Sequence, residues 1–221
     1  MRQQDEAAYQ TWLQQVFDHA VTDPAWHWDS EADIGEPPPS ECVVYLTRLF
    51  EQPEILTPYS DAQVNQGFWY LVSNACSSYM FSLIELGVAW QERQRGIRAI
   101  ATLFDRLFAR RCSDHLSHLD EVGAGPLNSV CYMWWDIFPA AGQPDNPDRK
   151  GLDAELLAVM KRILTIDSLA CQESALHGLG HWQMGYRGVV EQAIDEFLTR
   201  AGKMRQELRE YASCARRGYV Q

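Results

Sequence analysis

Apolar residues recur along most of the chain at steps of three and four, the spacing that places them on one face of a helix. Trp12, Leu13, Val16, Phe17 and Ala20 form the first stripe, and Asp23-Pro24 ends it. Residues 22–40 are polar and rich in proline. Pro37, Pro38 and Pro39 each lack an N–H and restrict the residue before them, so no helix runs through this stretch. A short helix is predicted at about 41–51, with Ser40 as its N-cap. Ser60 and Gln63 have capping-box spacing, and Val64, Phe68, Leu71, Ala75, Tyr79, Leu83, Leu86 and Trp90 keep helical phase beyond them. That run is long enough for two helices or one bent helix. Ile97, Ile100, Ala101, Phe104, Leu107 and Phe108 make the next stripe. Gly125-Pro126 opens another helix, carried by Leu127, Val130, Cys131, Trp134, Ile137 and Phe138 and stopped by Pro139. Further helices are predicted at about 152–165, 168–184, 187–201 and 204–217.

Strand signals are almost absent. There is no sustained alternation of apolar and polar residues and no Asn-Gly or Asp-Gly hairpin turn. The pattern predicts an all-α protein of about nine or ten helices, arranged as stacked antiparallel helix pairs. Residues 152–184 and 187–217 read as two such pairs in succession. The segments LLAVMKRIL, SLACQESALHGLGHW and AIDEFLTR resemble bacterial HEAT-like helical-repeat (α-solenoid) proteins, over the last two thirds of the chain. That resemblance implies a right-handed superhelix whose concave surface binds other macromolecules.

Charge divides the chain. Of 30 acidic and 19 basic side chains in 221 residues, residues 1–61 hold 12 acids and only Arg2 and Arg48 as bases. The remainder is nearly neutral. The predicted organisation is therefore an acidic unit at 1–61, with its Pro-rich loop packed on a helical-repeat body at 62–221, and an internal boundary near 139–151. Such a charge balance argues against nucleic acid and anionic lipid as partners. There is no run of 18 apolar residues and no apolar signal core at the start, so a cytoplasmic location is expected. The six cysteines are widely spaced, which suits buried free thiols better than a zinc finger or a disulfide framework.

Four groups of residues invite a chemical reading. Glu173, His177 and His181 fall at i, i+4 and i+8, along one helix face. Carboxylate and imidazole both bind divalent metals, but the outer two residues stand about 12 Å apart along the axis, beyond the reach of one ion. Only His177 and His181 are spaced to share an ion, and the remaining ligands would come from elsewhere. The competing structural reading makes Ser174, Gly178 and Gly185 a thin face for a neighbouring helix, because mid-helix glycines each cost about 1 kcal/mol and need a compensating contact. Glu173 and His177 then form an ordinary i,i+4 pair, and His181 is largely buried. His115 and His118, beside Asp114, Asp120 and Glu121, read as a solvated helix end.

Arg95, Arg98, Arg106 and Arg110 belong to an arginine-rich stretch able to bind phosphate or carboxylate, or to receive the acidic N-terminal quarter. Tyr132, Trp134, Trp135 and Asp136 combine aromatic rings with an acid, as HEAT-like DNA glycosylases do. Trp26 and Trp28, with Asp29, Glu31, Asp33 and Glu36, offer buried area and negative charge to a basic protein partner, and their loop is expected to be partly exposed. No catalytic or cofactor-binding motif accompanies these groups. The leading expectation is a protein-binding protein that needs no cofactor and performs no chemistry, such as an immunity or inhibitor protein acting on a basic toxin. The alternatives are a glycosylase-like nucleic-acid enzyme and a metal-binding protein using His177 and His181.

Overall fold

Prolines and local side-chain bonds set the limits of the helices. A computed structural model describes residues 3–28, 35–200, 202 and 204–220. Helix α1 spans Gln3–Phe17 and α2 spans Pro39–Glu51. The proline triplet itself starts α2: Pro38 is the N-cap and Pro39 the first helical residue, which leaves the expected cap Ser40 inside the helix. In α3 (Asp61–Val72) the capping box closes as the spacing predicts. Ser60 Oγ accepts from Gln63 N at 3.3 Å, and Gln63 Oε1 accepts from Ser60 N at 3.1 Å.

Helical phase persists in the sequence past residue 72, but the helix does not. Ser73 Oγ accepts from Ala75 N, and Ser77 Oγ donates to Tyr70 O at 2.6 Å. Such side-chain bonds satisfy groups the next helical turn would use. A 3-10 turn at Tyr79–Leu83 follows, and α4 begins at Trp90. Helix α4 (Trp90–Leu103) runs on through a π-helical turn (Phe104–Phe108) and a last α turn (Ala109–Arg111). Gly125 and Pro126 open α5 (Pro126–Ile137), and α6 is Lys150–Ile163. The two helices expected at 168–184 and 187–201 meet without a loop at Tyr186, whose non-helical backbone (φ −127°, ψ 40°) separates them where the sequence predicts, and together they make the kinked element α7 (Leu169–Arg200). The Tyr186 hydroxyl donates to Asp153 Oδ2 at 2.8 Å, a fully buried carboxylate that also accepts from Gln143 N and Arg149. Helix α8 is Gln206–Ala215. With α7 taken as one element, the described residues hold eight helices, close to the expected nine or ten.

The helices pack in two rows. One runs α1, α3, α5, α7, and the other α2, α4, α6; α8 lies on α7. This is an all-α stack, with no strand among the described residues. Trp134 of α5 joins the rows at the centre. Its ring lies 5.6–6.0 Å from those of Phe50, Phe68, Phe104 and Phe108, in edge-on or steeply tilted contact. The buried apolar residues form a single cluster from Tyr9 to Ala215, so the core is continuous across residue 61. Acids of the N-terminal quarter meet the arginines of α4: Arg95 grips Glu51 with two bonds of 2.7 Å, Arg111 donates to Asp61 at 2.7 Å, and Arg106 lies 3.8 Å from Glu54. No described helix is long and apolar enough to cross a membrane.

The row contact of α5 with α7 depends on missing side chains. A Cβ on Gly178 would stand 2.6 Å from Trp135 Cγ and 2.8 Å from both Trp135 Cβ and Met160 Sδ. Ser174, one turn earlier, donates its hydroxyl to Cys131 O of α5. Gly180 faces Val220 of the C-terminal segment and Gly185 faces Pro144, so only part of the expected thin face meets a helix. Gly178→Ala is expected to destabilise the protein by about 1–3 kcal/mol despite alanine's better helix propensity. Gly188→Ala, in the same helix with nothing within 4 Å of its Cβ, is expected to stabilise by about 0.5–1 kcal/mol. Urea unfolding of both variants checks this, and shifts of the same sign would show that the α5–α7 spacing is set elsewhere.

Candidate functional site

Two matched pairs face each other where α5 and α7 touch. Tyr132 and Asp136 stand four residues apart on α5, and His177 and His181 four apart on α7. The close approach at Gly178 places these pairs side by side. His181 Nε2 lies 3.0 Å from His177 Nε2 and 3.3 Å from Asp136 Oδ1. The ligand atoms of Asp136, His177 and His181 all lie within 4.8 Å of one another. Donors bound tetrahedrally to one zinc ion stand about 3.3 Å apart, given metal–ligand bonds near 2.0–2.2 Å. The three side chains therefore suit a single ion.

The environment grades from dry to wet across the group. His177 is 2% exposed, whereas the side chains of His181 and Asp136 are 38% and 42% exposed. The expectation that His181 is buried is thus corrected: its imidazole stands at the surface beside Asp136 of α5. Burial, reinforced by the charges of His181 and His118, pushes the His177 pKa down to about 4. The imidazole is consequently neutral near pH 7, which is the form that binds metal. Its Nδ1 lies 2.6 Å from the Tyr211 hydroxyl of α8, which in turn lies 3.2 Å from the Tyr132 hydroxyl. When Nε2 serves as the metal donor, Nδ1 carries the proton and donates to Tyr211, so the tyrosine fixes both tautomer and ring. Burial and the contact with Tyr132 raise the Tyr211 pKa, keeping the phenol protonated.

Glu173 does not join this group. Its carboxylate, fully buried, accepts from Ser117 N and His118 N at 2.9 Å each and from His118 Nδ1 at 2.6 Å. The i,i+4 pair with His177 is replaced by a bond to another element, and His118, read as solvated, is instead packed between Glu173 and the ring of Tyr211. His115 turns to Ser113, with Nδ1 2.9 Å from its hydroxyl.

The other sequence-derived groups are dispersed. Trp134 is spent in the core, Trp135 packs on Gly178, and Asp136 faces His181, so neither tryptophan leaves an open ring face beside the acid. Arg95 and Arg106 meet acids of the N-terminal quarter, Arg98 makes a bidentate pair with Glu155, and Arg110 is exposed. Trp26 is half-buried against His19 and Tyr70, and Trp28 is 58% exposed. Glu36 accepts from Ser78 N, while Asp29, Glu31 and Asp33 lie outside the described residues. The cysteines are free, with Cys42, Cys131 and Cys171 buried and the other three partly so.

Comparison with protein-family models, curated proteins and solved structures finds no match. The geometry of the site alone therefore bears on its chemistry. Three protein donors, with the wet side of the group facing solvent, leave room for water or an exogenous ligand on a bound ion. Sequence reasoning paired His177 and His181 and expected the remaining ligands from elsewhere, without placing them. The repeated four-residue step of Tyr132–Asp136 was the available signal, and it becomes meaningful only once α5 and α7 are known to be neighbours. Tyr211, far along the chain, carried no such signal.

A titration test follows from the burial of His177. As pH falls through 6.5 the unfolded chain takes up a proton, while folded His177 does not until about 4. Stability of the metal-free protein is therefore expected to fall across that window, by up to about 3 kcal/mol from this group. In His177→Gln that part of the slope is expected to vanish, whatever the variant's absolute stability. Urea unfolding at half-unit pH steps in the presence of a chelator measures it, and an unchanged slope would mean that His177 titrates normally.

Proposed function

We propose that this protein binds one divalent first-row transition-metal ion through Asp136, His177 and His181, in a site open to an exogenous ligand. The observation that supports this reading is the convergence of two Nε2 atoms and a carboxylate oxygen from two different helices within one coordination sphere. A second set of contacts agrees with it: His177 is oriented through Nδ1 by Tyr211, as metal-binding imidazoles are held by an outer hydrogen bond. Two imidazoles and one carboxylate suit zinc or iron(II), and three protein ligands are the number found where a metal keeps a position for chemistry.

Protein stripped with chelator is expected to take up one equivalent of zinc or cobalt(II) by isothermal titration. Tyr211→Phe is expected to weaken binding by about 10–100-fold, and Asp136→Asn or His181→Ala by about 100-fold or more. Folding of each variant is checked by circular dichroism. Uptake unchanged in His181→Ala would place any bound metal elsewhere.

A second reading rests on Trp28, whose ring is more than half exposed on the strongly acidic N-terminal quarter. A basic protein, for example a toxin held by an immunity or inhibitor protein, would be recognised by that ring and the charge around it. Co-purification with a cognate partner tests this reading, and partner binding left intact by charge reversal of several acids in 18–41 would refute electrostatic capture there.

A further inference from the structure

The exposed edge of the triad opens onto a cleft. Asp136 and His181 form part of its wall, and the rest comes from Phe81, Trp135, Phe138 and Trp182, from the small residues Pro139, Ala140 and Ala141, and from Asn74. Its volume is about 410 Å³, within the range of small-molecule sites. Three features of the wall restrict what fits. Phe81 and the small residues Pro139, Ala140 and Ala141 supply its accessible apolar surface, with Trp135, Phe138 and Trp182 nearly buried behind them, which favours a small flat apolar body. Among the described residues, Asp136, Asn74 and His181 are the charged or hydrogen-bonding side chains of the wall besides the buried tryptophans, and no lysine or arginine lines the cleft. A second anionic group on the ligand, such as another carboxylate or a phosphate, would therefore meet no cation beyond the metal. A divalent ion held by one carboxylate and two neutral imidazoles keeps a single net positive charge, which one anionic group neutralises.

We infer, building on the metal-binding reading, that the cleft takes a monocyclic aromatic monocarboxylate, its oxygens on the metal and its ring between Phe81 and the turn of Pro139, Ala140 and Ala141. The carboxylate enters the coordination positions that face away from the protein, and the ring replaces water along the apolar surface of that turn. Phe81, which is 41% exposed at the rim, closes over the ring's outer face. Recognition divides cleanly between the two parts. The ion selects for one anionic oxygen group, and the wall selects for the flat apolar body behind it.

The probe pair is benzoate and acetate, which share the carboxylate and differ in the ring. Each is titrated into the full-length protein loaded with cobalt(II), following the visible d–d absorption of the ion and the quenching of tryptophan fluorescence. Benzoate is expected to bind at least about tenfold more tightly than acetate, since only benzoate buries a ring. Phe81→Ala, at an exposed rim position away from the metal ligands, is expected to weaken benzoate several-fold and leave acetate unchanged. Equal affinities for the two anions, or benzoate binding that survives removal of the metal, would overturn the cleft inference while leaving metal binding in place. Failure of cobalt(II) itself to bind at Asp136, His177 and His181 would overturn both, and the initial metal titration separates that result from the others.

Discussion

The distance between α5 and α7 governs what this protein is able to do. It is set by an absence, the lack of any side chain at Gly178, against which Trp135 packs directly. Helices at ordinary separation are held apart by side chains on both surfaces, with axes about 8–10 Å apart. Letting a tryptophan lie on bare backbone brings the polar residues on either flank of that contact within bonding range. Asp136 follows Trp135 by one residue, and His177 and His181 bracket Gly178. Core packing and site geometry are thus the same contact seen from its dry and wet sides.

Around that contact the polar groups are sorted by helix rather than by proximity in sequence. Glu173 is the nearest acid to His177 along the chain, yet its carboxylate is committed to the turn holding Ser117 and His118. Three donors from one short loop are enough to hold a buried carboxylate, and they leave it no role beside the histidines. His177 instead leans on Tyr211 of α8, and through it on Tyr132. Four elements therefore position one imidazole: α7 carries it, α5 flanks it, α8 orients it, and the 115–119 turn removes its competitor. The neutrality of that ring follows from the same enclosure.

Much of the fold was legible in the residues. Ser60 with Gln63, Gly125-Pro126 and the apolar stripes located helices whose starts lie where local chemistry puts them. The misjudged segments are those where local and tertiary preferences compete. The periodic run from Val64 to Trp90 breaks because Ser73 and Ser77 bond to nearby backbone, a choice invisible to hydrophobic phase. Residues 168–201, by contrast, break at Tyr186 where the spacing places the boundary, and the Tyr186 hydroxyl is bonded there to Asp153 of α6. The site was half legible. His177 and His181 announce themselves by spacing, but their third companion lies on a helix that only the row order brings near. The exposure of His181 was misread too: the neighbouring glycines suggested full cover, whereas Asp136 of α5 meets the imidazole from one side and leaves it 38% exposed.

Donors shared between α5 and α7 also make occupancy and tertiary structure one equilibrium. Those helices are separated in the chain by all of α6, so in the unfolded polypeptide the carboxylate and the imidazoles have no reason to meet. An ion held by all three would act as a reversible cross-link, stabilising the native state in proportion to the logarithm of its free concentration. The surroundings would then set how firmly α5 and α7 are joined, and a cell that withheld the metal would hold a looser version of the same molecule.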